Sequence, residues 1–243
     1  MKKTFHFLLF LLIFILLSCR QEINSTAPNI IYILADDLGY GDLGTFNKEG
    51  KIKTLHLDQM ALEGMIFTDA HTSSSVCTPT RYGILTGRYN WRSPLKKHVL
   101  SGTSRALIPP SRTTVASFLK SNGYHTAFIG KWHLGWDWAL KDSTFQNTPI
   151  KDKEIFEKID FTKKITNSPN DLGFDYAYGH CGSLDMPPYV YVENEKITAP
   201  VENITQRKGD YHWWRNGPTA DDFDHERVSP HLFDKAEAYI AEI

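Results

Sequence analysis

The segment from Asn29 to Ala35, NIIYILA, limits the architecture most. It is a continuous apolar run rich in β-branched residues, and it gives way at once to Asp36-Asp37-Leu38-Gly39-Tyr40-Gly41. A strand with one wet face alternates polar and apolar residues; an unbroken run reads as a strand buried on both faces, here followed by a Gly-rich turn. It is expected to be the first core strand. Further along, Asp58 is expected to cap a short helix running through Glu63 and stopped by Gly64, and Met65 to Ala70 reads as a strand. Val115, Phe118 and Leu119 form a helical stripe ended by Gly123, and Tyr124 to Ile129 reads as the next strand. Strands alternating with helices predict an α/β domain with a mostly parallel central sheet flanked by helices. Residues 141 to 171 turn polar and rich in Lys and Asp, which suggests a surface excursion. Ser229-Pro230 opens a last helix with Leu232, Phe233, Ala236, Ile240 and Ile243 on one side. That pattern runs into the chain end without a cap, as expected of a fragment.

The 243 residues include 41% hydrophobic and 23% charged residues, which excludes a disordered chain and suits a packed domain. Lys+Arg 27 against Asp+Glu 28 leaves a net charge of -1, so the electrostatic footprint of a nucleic-acid binder is missing. The N-terminus reads as an address. Lys2 and Lys3 precede the apolar run Phe7 to Leu17, shorter than the roughly 20 residues a membrane-spanning helix needs. Leu16-Leu17-Ser18-Cys19 resembles the bacterial lipobox, where cleavage before the cysteine frees its sulfur for a lipid. The expected organisation is a lipoprotein-type signal over 1–19, a short tether over 20–27 and a folded domain over 28–243. Cys19 would be lipidated and the protein exported to the periplasm or outer membrane, touching membrane through that anchor alone. Simple secretion without a lipid is the competing reading.

Asp36 and Asp37 should lie beyond the carboxyl end of their strand, where open parallel sheets bind ligands. Adjacent carboxylates repel, and a hard divalent cation is the simplest compensation. Because neighbouring strand residues point to opposite faces, sharing one ion requires a bend, which Gly39 and Gly41 would allow. A solvated turn pair is the alternative. The cysteines at 19, 77 and 181 are too far apart for zinc-ligand spacing. Cys77 opens CTPTRYGILTGR, and Pro79 suits the first turn of a helix. Cys77 would therefore sit at a helix N-terminus, where backbone N–H groups favour anions, with Arg81 one turn on to hold an oxyanion. A Cys77–Cys181 disulfide competes with this reading in an oxidising compartment.

Cys77-Thr78-Pro79-Thr80-Arg81, continued by Leu85-Thr86-Gly87-Arg88, resembles the signature of type I sulfatases, in which the cysteine is converted to formylglycine. Gly123-Tyr124-His125-Thr126-Ala127-Phe128-Ile129-Gly130-Lys131-Trp132-His133-Leu134-Gly135 resembles the second signature of that family, and Pro28 through Asp42 resembles its opening strand and metal-binding aspartates. Thr78 and Thr80 stand where the commonest version has serines. The resemblance implies an alkaline-phosphatase-like α/β fold, of which this chain would lack the C-terminal part, and hydrolysis of sulfate esters of glycans or aryl alcohols with bound calcium. It implies Asp36, Asp37 and the formylglycine at Cys77 as calcium ligands. Arg81 and Lys131 would hold the aldehyde hydrate and the sulfate, and His133 would orient the nucleophilic hydroxyl. A formylglycine-generating or sulfatase-maturing enzyme is implied as partner. Ser183, in a segment resembling the family's pocket-lining loop, is a candidate substrate contact, against an ordinary turn. Trp213, Trp214 and Arg215 could stack on a sugar or be buried aromatics. His180 and Cys181 have no assigned role.

The family pattern also needs an Asp-Asn pair, a further histidine and a second lysine later in the chain, and no Asp-Asn dipeptide occurs here. Asp36, Asp37 and one modified side chain give too few oxygens for calcium, which takes roughly 6 to 8. A phosphatase or phosphonate-ester hydrolase of the same superfamily, and an inactive lipid-anchored remnant, are the alternatives.

Overall fold

The computed structural model describes residues 27–142 and 152–243. The signal, lipobox and most of the tether lie outside the described residues. Contacts divide the chain into two units, one ending at Met65 and one running from Ile66 to Ile243.

In the first unit residues 29–35 form no regular element, and no strand pairs with them among the described residues. Ile31, Tyr32 and Ile33 are each 68% exposed, which corrects the expectation of a strand buried on both faces. An apolar run marks a segment that wants neighbours on both edges and faces but cannot itself supply them. The bend falls on residues 36–37, and Asp37 itself takes the left-handed conformation at φ 62 while Gly39 remains extended at φ -76. The chain thus turns on the aspartate rather than on the glycines. Helix α1 spans Leu55–Glu63, starting before Asp58. Asp58 caps the preceding loop instead, accepting from the Thr45 N–H at 2.7 Å, the Thr45 hydroxyl at 2.9 Å and the Thr54 hydroxyl at 3.1 Å. No strand forms over 65–70.

The second unit is built on a four-stranded sheet of β1 Ala127–Lys131, β2 Tyr176–His180, β3 Val192–Glu193 and β4 Lys196–Ile197, in that order. The β1–β2 ladder is parallel; β2–β3 and β3–β4 are antiparallel, so the sheet is mixed. A separate hairpin pairs β5 Asn203–Thr205 with β6 Gly217–Thr219. Both faces of the sheet are covered. Phe128 and Val192 face a core containing Trp132, Leu134, Ile165 and Phe174, while Ile129 and Tyr178 face a second core of Tyr189, Tyr191, Phe223 and Val228. This two-sided burial explains why the strands read as apolar without alternation. Gly130 and Gly179 are register partners next to the end of the ladder, and a Cβ on Gly179 would lie 1.8 Å from the Gly130 carbonyl oxygen.

Helix α2 spans Cys77–Thr86 and ends where Gly87, at φ 63, donates its N–H to the Gly83 carbonyl, as left-handed C-caps do. Helix α3, Val115–Ser121, begins at a capping box: Thr114 Oγ1 accepts from Ser117 N and Ser117 Oγ accepts from Thr114 N. Its buried residue is Ala116, while Val115 and Phe118 are 42% and 59% exposed, so the expected stripe is not the packed face. The expected surface excursion contains helix α4, Asp152–Lys158, and then the fully buried Ile159 and Ile165, anchors that their polar neighbours concealed. Helix α5, Val228–Glu242, packs through Val228, His231, Leu232 and Tyr239. Phe233, Ile240 and Ile243 are exposed, which moves the packed face away from the expected one. His231 stacks on Tyr191 and Tyr239 on Tyr176; ring stacking, which a purely aliphatic pattern does not register, selects the face.

Candidate active site

Cys77 is the first residue of α2, half-buried, after the extended Val76. The three residues behind it are packed into the protein: Thr78, Pro79 and Thr80 are all buried. Gly83 lets the helix lie close to the Ser73 loop, since a Cβ there would come within 2.4 Å of Ser73 Oγ. Thr80 donates to the Ser74 carbonyl at 2.6 Å. Thr78, wholly buried, donates to the His133 carbonyl at 2.9 Å and accepts from the Leu100 N–H at 3.2 Å. Arg81 donates from its guanidinium to the Lys131 carbonyl. Two side chains of α2 thereby grip the chain just past β1, and Cys77, Arg81, Lys131 and His133 come together from segments about fifty residues apart.

Lys131 ends β1, half-buried, beyond the carboxyl end of the parallel ladder. His133 is fully buried and adopts φ 51, a left-handed conformation uncommon for a residue with a side chain. Its N–H donates to the Cys181 carbonyl at 3.1 Å, and Nε2 lies 2.7 Å from the Leu100 carbonyl oxygen. A carbonyl can only accept, so Nε2 carries a proton, and in its neutral form the ring would have Nδ1 as the acceptor. That tautomer suits a residue that takes a hydrogen bond from a hydroxyl.

His180, to which the sequence assigned no role, is the register partner of Lys131 and is 5% exposed. Partners in a parallel ladder point to the same face, so both side chains leave the sheet on the side of Phe223, against which His180 packs edge-on at 6.3 Å. Burial first, then the charges of Lys131 and Arg81, hold its pKa down to about 3. His180 is therefore neutral at pH 7, chiefly because it is buried, with the nearby cations adding to the effect. No spacing rule singles out one histidine at a strand end; only the register reveals it.

Cys181 is a buried free thiol that donates to the Pro188 carbonyl, and burial pushes it up to about 12. Cys77 is also a free thiol, so the disulfide alternative is not realised. Ser183 is half-buried and its carbonyl accepts from the Met186 N–H at 2.8 Å, placing it at the head of a turn. Trp214 is partly buried beneath the second core, whereas Trp213 is 54% exposed, so the two neighbours divide the alternatives between them. Asp36 and Asp37 belong to the other unit. No cluster of three or more metal-ligating residues occurs among the described residues.

Residues 28–238 match the sulfatase family model. The chain is 38% identical over 199 residues to an N-acetylgalactosamine-6-O-sulfatase of Bacteroides thetaiotaomicron, covering 79% of this chain and 35% of that protein. It is also 38% identical to mouse arylsulfatase G, covering 82% of this chain and 31% of the relative. It thus spans about a third of the length of these curated relatives. A solved sulfatase structure, from work on the metabolism of multiple glycosaminoglycans by Bacteroides thetaiotaomicron, superposes with a TM-score of 0.71 at 29% identity, covering 90% of this chain and 48% of that one. A sulfatase from Pseudoalteromonas sp. matches in fold, with a TM-score of 0.53 at 22% identity over 86% of this chain and 39% of that one. The α/β architecture with its mixed sheet is the alkaline-phosphatase-like fold of these enzymes, and the chain belongs to the sulfatase family.

Proposed function

We propose that this chain carries the nucleophile-bearing part of a sulfuric ester hydrolase acting on sulfated glycans or aryl sulfates, with Cys77 converted to formylglycine by a maturing enzyme. The observation that carries this reading is the double tie of α2 to the end of β1, Thr78 to the His133 carbonyl and Arg81 to that of Lys131, which gathers both signatures around Cys77. As a hydrated aldehyde, formylglycine supplies one hydroxyl to attack sulfur and a second whose deprotonation releases sulfate.

The chain's own residues do the rest. A sulfate ester is an anion, so attack on it needs positive charge already in place where the oxygens sit. Arg81 and Lys131 provide this, and the N-terminus of α2 adds its partial positive charge next to position 77. His133, with Nδ1 as acceptor, draws the proton of the attacking hydroxyl toward itself and fixes its direction. Ser183, on the loop after β2, is proposed to contact the substrate. Asp36 and Asp37 offer two hard oxygen donors at a bend, of the kind calcium takes but too few to complete its shell; they would contribute to such a site without forming it alone. Export as a lipoprotein through Cys19 belongs to the same reading.

The test uses the chain co-expressed with a formylglycine-generating enzyme and one aryl alcohol offered as its sulfate and as its phosphate. Hydrolysis of the sulfate, lost in Cys77→Ala, is expected. Preferential hydrolysis of the phosphate would shift the assignment to a phosphatase of the same superfamily, and turnover of neither would remove the catalytic reading.

A further inference from the structure

The hairpin of β5 and β6 carries an eleven-residue loop at 206–216, QRKGDYHWWRN, which none of the proposed catalytic roles uses. Its base is firmly built. Arg215 donates its N–H to the Tyr189 hydroxyl at 3.1 Å, its carbonyl accepts from that hydroxyl at 2.8 Å, and its guanidinium pairs with Asp185 at 3.0 Å. Across the loop, Arg207 N–H donates to Asn216 Oδ1 at 2.7 Å and Lys208 N–H to His212 Nδ1 at 3.1 Å. Trp214 lies between two imidazoles, stacked on His212 at 4.4 Å and on His225 at 4.7 Å.

On this base stand groups that the fold leaves in water. Trp213 is 54% exposed, edge-on to Trp214 at 5.8 Å, and Tyr211 is 96% exposed. Arg207 and Lys208 are exposed beside them. Large rings left in water on a hydrogen-bonded frame indicate a surface that gains something by being covered. The frame is also continuous with the candidate active site. Asp185, which holds Arg215, lies two residues after Ser183; His225 bonds to the backbone of Leu184 and packs on Phe223, which in turn packs on His180, the register partner of Lys131.

We propose that the 206–216 loop is a subsite for the saccharide chain of an anionic, sulfated substrate, with Trp213 as the stacking platform and Arg207 and Lys208 meeting its sulfate or carboxylate groups. The inference rests on the sulfatase reading and narrows its substrate from any sulfate ester to an extended sulfated saccharide. Sugar rings present C–H faces that stack on indole, and a polyanionic chain supplies charges that match the two exposed cations. A small aryl sulfate is expected to occupy the strand-end site alone, without using the loop.

The experiment compares the wild type, Trp213→Ala, Trp213→Phe and the double variant Arg207→Gln/Lys208→Gln. Substrates are a 6-sulfated chondroitin hexasaccharide and 4-methylumbelliferyl sulfate. Calorimetric titration of the hexasaccharide into Cys77→Ser versions of each protein gives a readout that needs no turnover. Trp213→Ala is expected to raise KM and Kd for the hexasaccharide about tenfold at unchanged kcat, with the aryl sulfate unaffected and most of the loss recovered in Trp213→Phe. The double variant is expected to weaken hexasaccharide binding about fivefold and to flatten its salt dependence. Hexasaccharide binding unchanged in both variants would overturn the subsite, as would Trp213-dependent binding to phosphatidylglycerol vesicles without binding to the hexasaccharide. Trp213-dependent hexasaccharide binding by a protein that hydrolyses neither ester would support the subsite while removing the catalytic reading.

Discussion

Thr78 holds together both halves of the candidate site, so replacing it with the isosteric valine tests the construction most directly. The hydroxyl accepts from Leu100 N–H and donates to the His133 carbonyl inside a residue with no exposed surface. Valine fills the same space and leaves one buried and one half-buried backbone group unsatisfied, at about 1–3 kcal/mol each. The predicted loss is about 2–6 kcal/mol, a large share of the roughly 5–15 kcal/mol that domains possess. At about 2–4 °C per kcal/mol for a chain of this size, the melting midpoint should fall by about 4–24 °C. Serine keeps the hydroxyl and loses one buried methyl, which costs about 1 kcal/mol. Urea and thermal unfolding followed by tryptophan fluorescence report on this directly, because Trp132 and Trp136, 1% and 2% exposed, lie in the adjoining core. The valine protein should also lose more kcat on a sulfate ester than the serine protein, since the His133 carbonyl and the φ 51 turn it belongs to lose their anchor. If Thr78→Val and Thr78→Ser unfold at the same midpoint, the tie between α2 and the 133 turn is not what holds this region.

Co-expression with a formylglycine-generating enzyme should lower the mass of the tryptic peptide Thr54–Arg81 by about 18 Da, and an intact thiol there would refute the nucleophile assignment. Gly179→Ala should abolish folding or cost more than about 4 kcal/mol, because its Cβ would meet the Gly130 carbonyl at 1.8 Å; recovery of soluble protein with a native melting curve would contradict the parallel register. Asp175 is held down to about 2 chiefly by Lys120, which bonds it at 2.6 Å, with the Thr126 N–H and hydroxyl adding to this. A lowered carboxyl pKa stabilises the fold above the unfolded value near 4, and that contribution disappears as pH falls from about 4 to about 2. Asp175→Asn should therefore lower stability at pH 7 and flatten the acid limb of a stability–pH curve; an unchanged limb would exclude Asp175 as its source.

The chemistry of the site was more legible in the sequence than the packing around it. Cys77, Arg81, Lys131 and His133 sit in contiguous motifs whose local conformations, a helix start and a strand end, follow from Pro79 and from the apolar run before Lys131. Packing depends on what arrives from elsewhere. The stripe of α5 failed because stacking of His231 and Tyr239 on strand tyrosines outweighed an aliphatic face, and Ile159 and Ile165 were hidden because their neighbours are charged. His180 illustrates the remaining gap. Its partner Lys131 is remote in sequence, and nothing in either segment specifies that the two strands pair with these residues opposite one another.

The way the site is tied also bears on how it can work. The contacts that gather it run from side chains to main chain: Arg81 to the Lys131 carbonyl, Thr78 to the His133 carbonyl, and His133 Nε2 to the Leu100 carbonyl. A backbone carbonyl cannot lose or gain charge, so these ties hold across the pH range in which side-chain pairs would titrate. His180 fits this arrangement. A third cation beside Lys131 would raise the cost of keeping the first two together, and burial keeps the imidazole neutral instead. Lys131, one of the two residues proposed to meet an anionic ester, thus has a neutral imidazole, His180, as its partner across the ladder.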